Sequence, residues 1–167
     1  MLETRTIRRR IAILPTVFLG AFLLSAPAGA KVPIAVIVHP QVPVDDLSLA
    51  ELRRIFLGER RSWSPELAVT LLMPPSGSAE RRVLLEKIYE RRSEVQYQQY
   101  WINKLFDDGP SSGPKSTDSP QMSASLARVI PGAVALVPAG KIPRDVKVLR
   151  IDGKLPGESG YPLMARG

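Results

Sequence analysis

The 167-residue chain carries 23 Lys+Arg against 16 Asp+Glu, a formal net charge of +7, and no cysteine. The missing cysteine excludes disulfides, thiolate metal sites, a cysteine nucleophile and an acylated N-terminal cysteine. The length favours one domain, with enough chain to bury a core without staples.

The N-terminal segment has the pattern of a secretory signal. Arg5, Arg8, Arg9 and Arg10 form a basic start, and Ile11 to Leu24 is an apolar run broken only by Pro15, Thr16 and Gly20. Small residues follow, with Ala28 and Ala30 spaced as A-x-A. The expectation is a signal peptide over residues 1–30, removed after Ala30, and one domain over 31–167 in the periplasm. The arginine cluster leaves both the general secretory and the twin-arginine route open. The apolar run is shorter than the roughly 20 residues that span a bilayer, so no stable membrane insertion is expected after cleavage. Removing four Arg and one Glu with the signal leaves 19 basic and 15 acidic residues, a net of +4. The signs are mixed and the aromatics do not alternate with basic residues, which argues against a nucleic-acid interface.

Val32 to Val38 is an apolar run rich in β-branched residues, the pattern of a strand buried on both faces. Ser48 with Glu51 is a capping-box pattern, and the helix behind it carries Leu49, Leu52, Ile55 and Phe56 on one face, with Gly58 placed to end it. A polar stretch around Trp63 precedes a short strand, Val69 to Met73. Pro74-Pro75-Ser76-Gly77-Ser78 connects that strand to a charged helix over about 79–92, with Val83, Leu84, Leu85 and Ile88 as its apolar stripe. Ser93 and Gln96 offer a second capping box, opening a helix through Tyr97, Tyr100, Trp101 and Leu105 to Phe106. Asp107 to Thr117 reads as an exposed loop. Ser119-Pro120 starts a helix to about Ile130, which Pro131-Gly132 stops. Ala133–Pro138 and Asp145–Ile151 are further strands, and the tail after Gly153 is irregular. Strands alternating with helices predict an α/β fold with a mainly parallel sheet, in which ligands bind where strands end and helices begin.

Ser76-Gly77-Ser78 is the best such place. Free N–H groups at a helix start, two hydroxyls and a glycine that admits close approach suit a phosphate-like oxyanion. An ordinary serine N-cap is the alternative. His39, the only histidine, stands beside Pro40 with no partner motif, which favours a structural or solvent-facing role. Asp45-Asp46 and Asp107-Asp108 read as caps or solvated loops, Trp63, Tyr97, Tyr100 and Trp101 as core, and Arg53, Arg54, Arg60 and Arg61 as a solvated basic edge. No catalytic motif, metal site or cofactor fingerprint is present.

Several segments together resemble the phosphate-type periplasmic substrate-binding proteins of ABC transporters. Leu52-Arg53-Arg54-Ile55-Phe56-Leu57-Gly58 followed by Trp63 is similar to that family's "IFxG…W" pattern. Ser76-Gly77-Ser78 stands where the family has its Ser-Gly-Thr anion-binding turn. Tyr100-Trp101 with Phe106 is similar to its "yW…F" helix, and Pro131-Gly132-Ala133-Val134-Ala135-Leu136-Val137 to its "PGAIGYV" strand. Asp152-Gly153 and Tyr161-Pro162-Leu163 resemble its C-terminal end. The resemblance implies a type II periplasmic-binding-protein fold reduced to about one lobe, with a small mixed or parallel sheet flanked by helices. It implies a non-enzymatic protein, without cofactor or metal, that captures a small oxyanion such as phosphate. Ser76, Gly77 and Ser78 would be donors, Arg81 would add charge, and an ABC permease would be the partner. The sequence departs from the family at Leu72, where an arginine is expected, and at Ala135-Leu136. The alternative is a ligand-free interaction module of an envelope sensor or secretion system.

Overall fold

The computed structural model describes residues 31–90, 93–109 and 113–166. The expected signal peptide lies outside them. At the centre of the fold is strand β1 (Val32–Val38), whose residues 34–38 are all fully buried. Helices cover both faces of the sheet, so β1 has no solvent side and needs an unbroken apolar run.

β1 lies antiparallel to β7 (Ala133–Pro138), from Ile34↔Pro138 to Val38↔Val134. β7 is parallel to β5 (Thr70–Met73), and β5 is parallel to β6 (Lys115–Ser116). On the far edge of β1, β10 (Met164–Ala165) pairs at one end and β8 (Lys147–Val148) at the other, both antiparallel. Two small pairs stand apart: β2 (Asp46–Leu47) with β9 (Arg150–Ile151), and β3 (Ser62–Ser64) with β4 (Leu67–Ala68). The sheet is therefore mixed, parallel only in its β7–β5–β6 part, rather than mainly parallel.

One face packs Ile34, Val36, Val38, Leu71, Met73, Val134 and Leu136 against three helical segments. These are α1 (Leu49–Phe56), α2 (Ala79–Val83), which runs into a π turn (Leu84–Ile88), and α3 (Glu94–Asp108). The other face is lined by Ala35, Ile37, Leu72, Ala133, Ala135 and Val137, and α4 (Pro120–Val129) covers it with Ala124 and Ala127. Small residues on both sides let that helix approach the sheet closely.

The Ser48–Glu51 box closes in both directions. Ser93 caps α3 through the Gln96 amide, without a return bond from the Gln96 side chain. Asp107 and Asp108 belong to α3 rather than to a loop, and the expected Asp145–Ile151 strand is divided between β8 and β9.

Candidate functional site

β5 ends at Met73, at the C-terminal edge of the parallel strands, and the next residue to begin a helix is Ala79. Between them Pro75 to Ser78 form a β-turn closed by the Ser78 amide on the Pro75 carbonyl at 3.2 Å, with Gly77 at φ +77°. A type II turn needs a positive φ at its third position, which is why glycine stands there. A Cβ built on Gly77 would meet nothing within 4 Å, so this stretch of backbone faces open space.

Ser78 is the N-cap of α2. Its Oγ accepts the Arg81 amide at 3.0 Å, and the first helical bond runs from the Arg82 amide to the Ser78 carbonyl at 3.0 Å. The amides of Gly77, Ala79 and Glu80 have no acceptor among the described residues. They are donors of the kind that a helix start leaves over. N–H groups of this kind can donate to an anion without any chemistry being done on it.

The side chains around the turn divide. Arg81 turns inward: its guanidinium holds Glu94 with Nε–Oε1 at 3.0 Å and Nη2–Oε2 at 2.9 Å, and lies 3.7 Å over the Tyr97 ring. Arg81 hydrogen bonds hold the Glu94 carboxyl below its usual range, against the opposing effect of burial; the Arg81 charge and the Ser76 hydroxyl add to the lowering. Burial pushes the Tyr97 phenol up, while Arg81 pulls it down. The exposed cation beside the turn is instead Arg82, whose Nη1 donates to the Gly77 carbonyl at 2.9 Å. Arg82, Leu85, Glu86 and Arg166 line a shallow depression of about 260 Å³ next to it. Glu80, in the first turn of α2, is 2% exposed and its Oε1 has no hydrogen-bond partner.

Thus Ser76, Gly77 and Ser78 are together at the turn, and Arg81 is adjacent but engaged. Sequence reasoning did not single out Arg82 or Glu94. Ser93, the cap preceding Glu94, was the only local signal, and nothing in the sequence pairs Glu94 with Arg81. Leu72 is fully buried against α4, facing away from the turn's polar groups.

The remaining candidates have structural places. His39 Nδ1 accepts the Gln41 amide at 3.2 Å in a turn. Trp63 Nε1 donates to the Gly132 carbonyl at 2.8 Å, and Trp101 Nε1 to the Tyr89 hydroxyl at 2.9 Å; both indoles are buried. Asp46 Oδ1 accepts the Gly153 amide, and Asp108 joins Lys104 and Arg61. Among the described residues no three His, Cys, Asp or Glu side chains are grouped to hold a metal ion. Nor is any helix long and apolar enough to cross a membrane.

The architecture is that of a single lobe of a periplasmic binding protein, an α/β fold with a mixed sheet flanked by helices. The chain is similar to the phosphate-bound substrate-binding protein assigned to a phosphate ABC transporter of Clostridium perfringens. That match has 17% identity and a TM-score of 0.63, and covers 82% of this chain and 54% of that one. An ABC-type phosphate transport receptor from Vibrio cholerae matches at 17% identity and TM-score 0.65, covering 82% of this chain and 55% of the other. PstS from Borrelia burgdorferi matches at 13% identity and TM-score 0.63, with 83% and 56% covered. This chain therefore spans about half the length of the solved proteins it resembles. No protein-family model matches the sequence.

Proposed function

We propose that the chain is an exported, non-enzymatic binding protein of the periplasm that captures a small oxyanion noncovalently at Ser76-Gly77-Ser78, with residues 1–30 removed as a signal peptide. The observation that carries the reading is the open turn: Gly77 at φ +77° with free space beside it, and turn amides that have no acceptor among the described residues. The fold shared with phosphate transport proteins supports it, and an ABC permease is the partner that likeness suggests. With half of the fold's usual length and Leu72 in the sheet core, binding is weaker than in a two-lobed clamp.

The test is a thermal-shift titration with phosphate and sulfate at constant ionic strength. A ligand at 100 times its dissociation constant stabilises the native state by about 2.7 kcal/mol. Ala79→Pro is the diagnostic variant. Proline fits the first helical position, and Ser78 before it is already extended at φ −68°, ψ 160°, so the change deletes one amide donor and little else. The shift should appear in the wild type and shrink in Ala79→Pro; no shift with either anion refutes the reading.

One observation favours a second reading, a ligand-free interaction module of an envelope sensor or secretion system. Val95, Ile102 and Phe106 lie on one face of α3 and are exposed, Phe106 at 90%. A run of apolar side chains on a solvent-facing helix suits a protein partner. Absence of oxyanion binding would favour this reading.

A further inference from the structure

A cavity of about 250 Å³ lies at the N-terminal end of β5, the end away from the Ser76 turn. In α/β sheets ligands are expected at the other end, where strands lead into helices, so this cavity is separate from the turn. Its apolar floor is Ile55, near the end of α1, with Val69 and Leu71. Arg60, Arg61 and Lys115 stand around its mouth. Two glycines in its wall are backed by α3. A Cβ on Gly58 would come within 2.9 Å of Lys104 Cε and 3.1 Å of the Trp101 ring, and one on Gly113 within 3.0 Å of Leu105 Cδ2. Tyr100 Oη on the Leu57 carbonyl at 2.6 Å ties α3 to the same corner. The cavity is therefore preformed.

The cations at the mouth outnumber the carboxylates that could neutralise them. Asp108 is bound by Arg61 and Lys104 together. Arg60 donates Nε to the Ser62 carbonyl at 3.2 Å and lies 5.5 Å from the centre of the Trp63 ring. Among the described residues neither Arg60 nor Lys115 forms an ion pair. A closed apolar floor beneath unpaired cations calls for a ligand with both characters.

We infer that this cavity binds a small organic anion, a carboxylate on a short apolar body. The carboxylate meets the guanidinium and ammonium groups at the mouth, where charge-assisted hydrogen bonds form. The apolar body covers Ile55, Val69 and Leu71 and takes them out of water. An inorganic oxyanion has nothing to lay on that floor, and a neutral hydrocarbon leaves the cations unpaired. The volume falls just below the range of about 300–1,000 Å³ of drug-sized ligand sites, so the occupant is about the size of benzoate.

The test titrates the full chain with benzoate, benzamide and formate at constant ionic strength and follows ¹H–¹⁵N spectra. Benzamide keeps the ring and loses the charge; formate keeps the carboxylate and loses the ring. Benzoate should move the Gly58, Leu71 and Gly113 amide signals to saturation, and the other two probes should bind at least about tenfold more weakly. The double variant Arg60→Gln/Lys115→Gln removes the unpaired cations and should weaken benzoate by about tenfold, with its thermal midpoint recorded as a check on folding. Fixed cavity signals at high millimolar benzoate would overturn the inference, and so would benzamide binding as tightly as benzoate. Phosphate titrated alongside keeps the two sites apart. Movement of the Gly77 amide with phosphate but of no cavity signal with benzoate refutes the cavity alone; the reverse pattern supports the cavity and refutes the oxyanion turn.

Discussion

Among the described glycines, Gly132 has the tightest backbone obstacle to an added methyl, so Gly132→Ala should be damaging, and Gly77 supplies its control. Both glycines have positive φ, +72° and +77°. Both alanine variants therefore carry the left-handed strain of about 1–2 kcal/mol. They differ in surroundings. A Cβ on Gly132 would sit 1.9 Å from the Ala68 carbonyl oxygen, whereas one on Gly77 meets nothing within 4 Å. No flexible side-chain end can yield at 132, because the obstacle is backbone of β4. The chain must shift, and the Gly132 carbonyl is the acceptor for both the Trp63 indole at 2.8 Å and the Thr70 amide at 3.0 Å. A buried group left without its partner costs about 1–3 kcal/mol. Strain together with one buried group left unpaired gives about 2–5 kcal/mol for Gly132→Ala against about 1–2 kcal/mol for Gly77→Ala. Urea unfolding followed by far-ultraviolet circular dichroism measures both. Equal losses in the two variants would refute the reasoning.

Three further outcomes follow from the same structure. Tyr89 Oη donates to the Phe56 carbonyl at 2.6 Å and accepts from Trp101 Nε1, so Tyr89→Phe should cost about 1–3 kcal/mol in urea unfolding; no loss would show that the bridge between α1 and α3 is immaterial. Glu94 has a lowered folded-state pKa, so its contribution is present above the ordinary value of 4.5 and is lost as pH falls through the depressed one. Urea midpoints of the wild type should drop over that acid range, and Glu94→Gln should flatten the drop; identical profiles would contradict the pairing. Leu72→Arg, which restores the arginine seen in the resembling family, should destabilise by several kcal/mol because it places an unpaired cation among Ala35, Ile37, Ala124 and Ala127. A stable variant with improved phosphate binding would overturn the placement of Leu72.

Local signals carried much of the fold. The unbroken apolar run of β1, the Ser48–Glu51 reciprocal cap and the Ser119-Pro120 start of α4 are chemistry between near neighbours, and each is found where the pattern puts it. What the sequence hid depends on distant partners. Lys115–Ser116 has no apolar pattern and is a strand only because it pairs with Leu72–Met73. Met164–Ala165 is likewise a strand because the start of β1 lies beside it. Val83, Leu84 and Leu85 are all buried, a wider arc than an α-helical stripe covers, and the π turn beginning at Leu84 accommodates them. The site shows the same division. The turn is readable from Pro75, Gly77 and the Ser78 cap. The inward aim of Arg81 is not, because its carboxylate partner is on the next helix, 13 residues away. Arg82, the exposed neighbour, was indistinguishable from it in a run of charged residues.

The central claim concerns the unpartnered amides of the turn, and their own resonances report on it most directly. In a ¹H–¹⁵N spectrum titrated with phosphate at constant ionic strength, the Gly77, Ala79 and Glu80 amides should move together and saturate at one common dissociation constant. If those three signals stay fixed while phosphate reaches high millimolar concentration, the turn is no more than a helix cap.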